Sequence, residues 1–348
     1  MKKKTVKDLI GSRGDKAVIV SENGTAVAYT GDGNVNGFVR TELGAKYDGE
    51  PQVIYPASWL KVKARLELED VSEIRKDGDS LLFGSIAVKC EPGEGCFLPE
   101  KMAGKKAETF AAYDLDAKTT AVLLRFSEYA SKDELRYFMT GVFLAENGDI
   151  AATDGRRLGV LKTDFKFGKW IVHRNVFQKL KKAKEIRIEV LLPEPGLEVL
   201  RLSGGGMTVL CEPVDGQFPP YEKVIPNTFS NTEKNLIEFD YAKFKDYIKE
   251  TTGGKGCPGT VVLYKRSVWC GNTEVGRLNF QTDTPMFMDP VMLDGAIKDG
   301  GNISWNDIKG EILRAVVFGT ENQMSVVMPR NYVAEAMPSN NEEKGENK

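Results

Sequence analysis

The residue types that most often carry out catalysis are sparse in this chain and form no recognisable constellation. Its one histidine, His173, is expected on a solvent-exposed helix face, and a single imidazole cannot serve several proton-transfer steps. Asp154 has no evident carboxylate partner, and the glycine run 204–206 lies in a hairpin context without the spacing of a phosphate-binding loop. The sequence therefore predicts no catalytic residue and a protein that is not an enzyme.

The cysteines do not form the pattern of a metal site or of a disulfide framework. No two of them make a C-x-x-C pair, and their number is odd. They are Cys90, Cys96, Cys211, Cys257 and Cys270. We interpret them as reduced packing residues, which predicts no metal and no cofactor. Because no apolar run reaches the length of a membrane span and the basic N-terminus lacks an apolar signal region, we expect a cytoplasmic protein with no membrane partner.

The chain of 348 residues is long enough for two or three domains, and its pattern of elements repeats three times. Helical stretches recur at nearly equal intervals, at residues 55–66, 172–183 and 288–298. Each carries a pair of adjacent apolar residues, which begins an apolar stripe along one face of the helix. In the second and third stretches a further apolar residue one turn later extends this stripe. These stripe residues are Trp59, Leu60, Val176, Phe177, Leu180, Met292, Leu293 and Ile297.

Strand-forming residues lie on both sides of each helical stretch. The runs 16–29 and 141–152 contain Asn-Gly, the strongest short-range signal of a hairpin, and the run 259–270 is expected to turn around residues 265–267. Further strands are expected after each helix, within residues 71–91, 185–212 and 310–329. This alternation predicts an α+β protein, although helices and hairpins occur in every protein of that class.

The repeats divide the chain into three domains and a tail. We predict domains at residues 1–108, 112–230 and 233–333, and a disordered tail at 334–348 that is rich in Asn, Glu and Lys. The first domain begins with only residues 1–15 before its first hairpin, and Gly11 and Gly14 interrupt any helix there.

Four motifs in a fixed order resemble the bacterial DNA polymerase III β sliding clamp family. They are R-Y-x-x-x-G-V at residues 136–142, T-D-G-x-R-L at 153–158, F-P-x-Y-x-x-V-x-P at 218–226 and V-M-P at 327–329. Each motif alone is modest, but the four together, in order and suitably spaced, are specific. The resemblance covers the second domain well and the third adequately, and it rests in the first domain mainly on the repeat.

The resemblance implies an α+β fold of three repeated processivity-clamp domains, with helices lining the inside and β-sheets outside, that forms a ring as a head-to-tail homodimer. It implies a non-catalytic subunit of a DNA polymerase III-like holoenzyme. Such a subunit encircles double-stranded DNA without sequence specificity and tethers the replicative DNA polymerase, and it also binds a clamp loader. The net charge of −2 is compatible with this function because a basic inner surface and an acidic outer surface cancel in the sum.

Two alternatives stay open. A monomeric, non-enclosing clamp relative would bind the peptides of replication partners without circling DNA. The short residues 1–15 and the polar run 249–254, where the family has apolar interface residues, keep this alternative open. The other alternative is an unrelated enzyme or carrier whose motifs arose by accident.

The resemblance also implies an apolar groove for a short linear peptide, formed where the turn, the linker and the terminal strand converge between the second and third domains. Leucine, valine, methionine and proline side chains give a deformable slot. Gly155 permits the turn and a close approach, and Arg157 can brace the turn or bond to peptide carbonyls. An ordinary turn and a stiff linker would show the same residues. Carried over residue by residue, the groove comprises Met139, Thr153, Gly155, Arg156, Arg157, Leu158, Pro219, Lys223, Val224, Val326, Val327, Met328, Pro329 and Arg330.

Basic residues on the predicted inner helices are the candidates for contact with DNA. Cations that face a phosphate backbone give a weak, salt-dependent and sequence-independent attraction, as a sliding contact requires. A solvated lysine-rich face is the alternative for any single one of them, and Asp294 weakens the pattern in the third domain. The candidates are Lys61, Lys63, Arg65, Arg125, Arg174, Lys181, Lys182, Lys245 and Lys249.

Three apolar residues are candidates for the interface between two chains. Ile86 and Val88 are expected on an edge strand of the first domain, where they need cover, and Ile248 is the nearest apolar residue at the end of the third domain's first helix. Beyond the V-M-P motif, residues 332–338 could fold over the groove and compete with partners.

Overall fold

A computed structural model describes residues 16–31, 33–66, 71–93, 98, 108–225, 237–252, 259–298, 303–305, 315–331 and 336–338. Over these residues the protein is α+β, as predicted. The α-helices in the described ranges are α1 (Pro56–Leu66), α2 (Ala117–Ser127), α3 (Arg174–Lys179), α4 (Tyr241–Thr252) and α5 (Pro290–Ile297). Short 3-10 helices span Glu134–Met139 and Tyr221–Val224. None of these helices is long and apolar enough to cross a membrane.

Strands make up most of the remaining described structure. The strands up to residue 162 are β1 (Lys16–Glu22), β2 (Thr25–Gly31), β3 (Phe38–Lys46), β4 (Gln52–Ile54), β5 (Ile74–Asp77), β6 (Ser80–Phe83), β7 (Ile86–Lys89), β8 (Glu91–Pro92), β9 (Thr109–Leu115), β10 (Gly141–Leu144), β11 (Asp149–Thr153) and β12 (Arg157–Lys162). The later strands are β13 (Trp170–His173), β14 (Ile186–Glu194), β15 (Leu197–Gly204), β16 (Met207–Cys211), β17 (Ile237–Phe239), β18 (Val261–Cys270), β19 (Thr273–Met288), β20 (Ile303–Trp305), β21 (Val316–Gly319) and β22 (Gln323–Val327).

The chain forms two compact units. Unit 1 takes its described residues from Met1–Glu128, Thr140–Leu144 and Gly168–Gln217, and unit 2 takes its described residues from Tyr129–Met139, Ala145–Phe167 and Phe218–Lys348. The predicted domain boundary at 108–112 falls at β9, and the boundary at 230–233 lies outside the described residues. The division into three domains therefore stays a prediction.

Unit 1 is built on a nine-stranded antiparallel sheet in the order β8-β4-β1-β2-β3-β16-β15-β14-β9. The pairing of Val39 in β3 with Val209 in β16 joins the first two predicted domains in this one sheet. Side chains of a strand alternate between faces, and β1 sends Ile19 into one apolar cluster and Val18 and Val20 into another. Because both faces are covered, β1 is a continuous apolar run.

The first hairpin is confirmed where the Asn-Gly signal predicted it. Asn23 and Gly24 connect β1 to β2 with positive φ angles of 53° and 78°. A two-residue turn of this kind matches the right-handed twist of the strands that it joins. In contrast, the turn expected at residues 265–267 was wrong: β18 continues to Cys270, and the chain turns at Gly271, which has a φ of 58°. Lys265 lies at a register shift within the ladder instead.

The helical stripes are partly as expected. Trp59 is 4% exposed but Leu60 is 46% exposed, because Val62, three residues from Trp59, is the residue that completes the buried face of α1. In the second stretch Val176, Phe177 and Leu180 are all buried, as predicted.

Helix α3 is shorter than the helical stretch predicted at residues 172–183. The helix begins at Arg174, since the preceding residues belong to β13, and it ends at Lys179. His173 is therefore not on an exposed helix face: it is 2% exposed, and its Nδ1 accepts a hydrogen bond from the backbone N–H of Asn175 at the start of the helix.

Unit 2 contains a ladder in the order β11-β12-β22-β21-β20 and a three-stranded sheet in the order β17-β19-β18. Their shared core holds Phe244 of α4, Leu293 of α5 and Val327 of β22. Helix α5 begins where Asp289 caps it, because the carboxylate accepts hydrogen bonds from the N–H groups of Val291 and Met292. This core positions β22, which carries the end of the candidate site.

Candidate functional site

The turn between β11 and β12 is fixed by its own side chains. Thr153 Oγ1 donates to the carbonyl of Arg157 at 2.8 Å and accepts from Gly155 N at 3.0 Å. The carboxylate of Asp154 accepts from the backbone N–H groups of Arg156 and Arg157 at 2.9 and 3.0 Å. Gly155 has a φ of 87°, where a side chain would be strained. The T-D-G-x-R sequence therefore produces a turn with a defined shape.

The Arg157 side chain braces this turn rather than pointing into solvent. Its Nε donates to Asp154 Oδ2 at 3.0 Å, and its guanidinium carbon lies 4.5 Å from the centre of the Tyr129 ring. The hydroxyl of Tyr129 is hydrogen-bonded to Ser325 Oγ at 3.0 Å, on β22. Of the two roles considered for Arg157, bracing is therefore the one that its contacts show.

The linker motif forms a short helix that Tyr221 anchors. The Tyr221 hydroxyl donates to Asp149 Oδ2 at 2.7 Å, and its ring packs edge-on against Phe218. Burial, and then the hydrogen bond to Asp149, raises the pKa of Tyr221 well above its usual value, so the phenol stays neutral. With Tyr221 held inside, Lys223 and Val224 are left on the surface.

Strand β22 presents alternate side chains to the site. Leu158 pairs with Val326, and the N–H of Met328 donates to the carbonyl of Arg156 at 2.8 Å. Val326 and Met328 line a cavity, whereas Val327 faces the core of unit 2. The assignment of Val327 to the groove was therefore wrong, because neighbouring residues of a strand point to opposite faces.

These elements of unit 2 enclose a largely apolar cavity of about 400 Å³. It brings together eleven of the predicted groove residues: Met139, Thr153, Gly155, Arg156, Arg157, Leu158, Pro219, Lys223, Val224, Val326 and Met328. Pro220 and Tyr221 also line it, and the prediction missed both. The aromatic residue in the F-P-x-Y motif was the available signal, since a linker residue that is buried must contact something.

Pro329 and Arg330 are not among the lining residues, which corrects their assignment. The N–H of Arg330 donates to the carbonyl of Phe287 at 2.6 Å. Its guanidinium bonds to Asp289, the residue that caps α5, and to the carbonyl of Gly259. These bonds hold the Arg330 side chain on the elements that lead into α5 rather than at the cavity.

The candidate DNA-facing residues are in different environments. Lys61, Lys181 and Lys182 are exposed, although the last two follow the end of α3 rather than lying on it. Arg125 is half-buried, with its guanidinium 5.3 Å from the Phe126 ring. Arg174 is only 7% exposed and pairs with Glu128 at 3.5 Å, so its assignment to an exposed helix face was wrong. The side chains of Lys63 and Arg65 lie outside the described structure.

Helix α4 carries basic residues that are paired with acids. Lys245 Nζ lies 2.8 Å from the carboxylate of Asp294 on α5, and the Tyr241 hydroxyl donates to the same group at 2.8 Å. The hydrogen bond to Asp294 raises the pKa of Lys245. Burial disfavours the charged form of Asp294 and by itself would raise its pKa. The hydrogen bonds from Lys245 and Tyr241 outweigh burial, so the pKa of Asp294 lies below its usual range. Lys249 pairs with Asp246 at 3.3 Å, so both lysines carry a neighbouring negative charge.

The three apolar residues proposed for a chain interface pack within their own units. Val88 is buried in the core of unit 1, and Ile86 is half-buried against the same core. Ile248 is half-buried against the core of unit 2. Their role in an interface stays a prediction. Of the predicted tail cover at 332–338, residues 332–335 lie outside the described structure.

No set of three or more His, Cys, Asp or Glu side chains is grouped to hold a metal ion within the described ranges. Cys90, Cys211 and Cys270 are buried, and burial raises the pKa of the Cys211 thiol to about 12. These three cysteines are therefore packing residues.

Comparison with known proteins places the fold. No protein-family model and no curated protein matches the chain. The DNA polymerase III subunit beta from Pseudomonas aeruginosa matches with a TM-score of 0.64 at 16% identity, over 92% of this chain and 93% of that one. The β subunit from Thermotoga maritima matches with a TM-score of 0.61 at 18% identity, over 96% and 94% of the two chains. The C. crescentus beta sliding clamp gives a TM-score of 0.64 at 15% identity, over 95% and 94%. Identities this low show the fold alone, and the chain has the fold of the DNA polymerase III β sliding clamps, as the four motifs predicted.

Proposed function

We propose that the protein is a non-catalytic processivity factor of DNA replication. In this function it is a ring-shaped sliding clamp that encircles duplex DNA and tethers a replicative DNA polymerase to it. The observation that carries the proposal is the combination of a clamp fold over the length of both chains with an apolar cavity at the four sequence motifs. An unrelated fold with accidental motifs would have neither.

The cavity suits a partner that arrives as an extended peptide. Its floor is apolar, with Leu158 of β12, Val326 of β22 and Met328 directly after β22, so a guest gains by burying two or three apolar side chains. The bonds of Thr153 and Asp154 order the rim before a guest binds, which lowers the entropy lost on binding. Methionine side chains at two positions allow the shape to adapt to different partners.

Attraction to DNA in this proposal is weak and comes from exposed cations. Lys61, Lys181 and Lys182 are exposed and can approach phosphates, with no base contacts. The acids beside Lys245 and Lys249 reduce the local positive charge on α4. A chain that stays on DNA through ring closure does not need strong binding, and weak contacts allow it to slide.

Ring closure requires two copies of the chain, and the solution mass measured by light scattering over a dilution series tests it. We expect the mass of a dimer that persists on dilution. A monomer at every concentration would contradict the closed ring. It would instead favour a non-enclosing clamp relative that binds partner peptides without circling DNA.

A further inference from the structure

Tyr129 is a buried tyrosine that contacts three different elements of unit 2. Its ring faces the guanidinium of Arg157 at the start of β12, with 4.5 Å between the guanidinium carbon and the ring centre. Its hydroxyl is hydrogen-bonded to Ser325 Oγ on β22 at 3.0 Å. Tyr129 is only 1% exposed and is not among the residues that line the cavity, so it supports the site without reaching a guest.

The third contact of Tyr129 is with helix α5, at Gly295. A Cβ added to Gly295 would lie 2.9 Å from the Tyr129 hydroxyl oxygen, which is closer than real Cβ atoms come to a neighbour. Gly295 lies inside the helix, where alanine is the better helix former, so the helix itself gives no reason for a glycine. The close approach of the tyrosine hydroxyl does give one.

These contacts lie behind the groove. Leu158 of β12 pairs with Val326 of β22, and both line the cavity. Neighbouring residues of a strand point to opposite faces, so Ser325 points away from the cavity, towards Tyr129. Tyr129 therefore holds from behind both the strand that carries Val326 and the turn that Arg157 braces.

The polar contacts of Tyr129 fix its position more narrowly than apolar packing would. A buried hydroxyl is costly without its hydrogen bond, and a cation is attracted to the face of an aromatic ring rather than to its edge. Because a close-packed interior transmits a displacement instead of absorbing it, a shift of the phenol would carry to Arg157 and Ser325. Helix α5 is the element placed to cause such a shift, since it approaches the hydroxyl most closely at Gly295.

We propose that Tyr129 and Gly295 are a matched positioning pair, through which helix α5 sets the positions of the Arg157 turn and of β22 and so determines whether the groove is shaped for a guest. The inference rests on the proposed docking role of the groove and adds a determinant outside its lining. Neither residue of the pair contacts the guest.

Two substitutions and their combination test the pair. Gly295→Ala places a methyl group against the phenol hydroxyl, whereas Tyr129→Phe removes the hydroxyl and keeps the ring beside Arg157. In urea unfolding followed by tryptophan fluorescence, we expect Gly295→Ala to lower the midpoint in the unchanged background. In the Tyr129→Phe background it should no longer lower the midpoint, because the methyl group has room and alanine favours the helix. Equal losses in the two backgrounds would overturn the pairing.

The affinity of the groove is the readout that a merely structural role would not move. A fluorescein-labelled hexapeptide whose apolar residues are leucine, valine and phenylalanine is titrated with the full chain and followed by fluorescence anisotropy. We expect Gly295→Ala to weaken binding about threefold to thirtyfold, although Gly295 does not line the cavity. In the Tyr129→Phe background the same substitution should leave the affinity unchanged.

Gly271→Ala is the matched control within unit 2. Gly271 lies in the turn between β18 and β19 with a φ of 58°, and a Cβ there meets no atom within 4 Å. The substitution should therefore lower the urea midpoint through backbone strain alone and leave the affinity for the peptide unchanged.

The outcomes separate the inference from the function beneath it. A lowered midpoint with unchanged affinity in Gly295→Ala would overturn the positioning role while leaving the groove as a docking site. The same loss of affinity in Gly271→Ala would also overturn it, because general destabilisation would then be the cause. Failure of the unchanged protein to bind the peptide would overturn the docking site itself, and the positioning role with it.

Discussion

The guanidinium of Arg157 lies against the ring of Tyr129, 4.5 Å from its centre, while its Nε donates to Asp154. Arg156, the adjacent residue in the sequence, has neither contact and extends into solvent at the cavity. Two consecutive arginines therefore have different tasks: one maintains the turn, and the other is available to a guest.

Replacing Arg157 should damage the fold as well as the groove. We expect Arg157→Ala to lower the free energy of unfolding by about 1–3 kcal/mol, because it removes the cation–π contact and leaves Asp154 without its ion-pair partner. Arg156→Ala should change stability by less than about 0.5 kcal/mol, since that side chain is exposed. Urea unfolding followed by tryptophan fluorescence measures both, and equal losses would contradict the division of tasks.

Gly155 should be needed for the shape of the turn and not only for stability. Because Gly155 has a φ of 87°, Gly155→Ala should cost about 1–2 kcal/mol of unfolding free energy and weaken binding of a fluorescein-labelled peptide of apolar residues to the cavity. Gly196 has a φ of 82° in a turn of unit 1, and a Cβ there meets no atom within 4 Å, so Gly196→Ala is a matched control. It should lose similar stability without any loss of peptide affinity. Loss of affinity in both variants would show that the effect is general destabilisation.

Tyr221 should make the stability depend on pH in the alkaline range. Its pKa is raised, so the folded protein keeps the phenol protonated above pH ~10, where the unfolded chain loses the proton. The contribution of Tyr221 to the free energy of unfolding is fully present below pH ~10 and is lost as the pH rises above that value. We expect Tyr221→Phe to reduce the fall of unfolding free energy between pH ~10 and ~11 by up to about 1.4 kcal/mol per pH unit. Urea unfolding across this range measures the slope, and Tyr137→Phe, at a half-exposed ring, is the control.

At neutral pH the same Tyr221→Phe variant should be less stable by about 1–3 kcal/mol, because the nearly buried Asp149 loses a hydrogen-bond donor. Unchanged stability at neutral pH together with an unchanged alkaline slope would contradict the anchoring role of Tyr221.

Asp294 should limit the attraction of α4 to DNA. Asp294→Asn leaves Lys245 without its carboxylate partner, so we expect tighter binding to a short linear duplex. The slope of log K against log salt should steepen by up to about 0.9, as for one added phosphate contact. Glu321→Gln makes the same change of charge beside Lys162 on β12, and it should leave the slope unchanged. The same increase in both variants would indicate an effect of net charge alone.

The parts of the fold that depend on local sequence could be predicted, and those that depend on distant partners could not. The Asn23-Gly24 turn and the Thr153–Arg157 bonding pattern involve neighbouring residues, so their sequence signals were sufficient. His173 was misplaced because its burial depends on where β13 ends and α3 begins, and helix periodicity cannot locate that junction.

The site shows the same distinction between local and distant information. The four motifs identified most of the lining residues, but Val327 was included because a motif does not record which face of a strand each residue occupies. Period-two alternation from Val326 and Met328 would have excluded it. The sequence indicated that Asp294 weakens the basic pattern of the third domain. It could not show that Asp294 pairs with Lys245, because the two residues lie on helices far apart in the sequence.

The central claim, that the protein encircles DNA, is tested most directly by retention on a DNA whose ends are blocked. The chain is allowed to thread onto a linear duplex that is fixed to a bead at one end, and a bulky protein then blocks the free end. We expect the protein to resist a wash at a salt concentration that removes ordinary electrostatic binding, and to be released when a restriction enzyme cuts the DNA. Release by the salt wash alone, with the end blocked, would contradict encirclement.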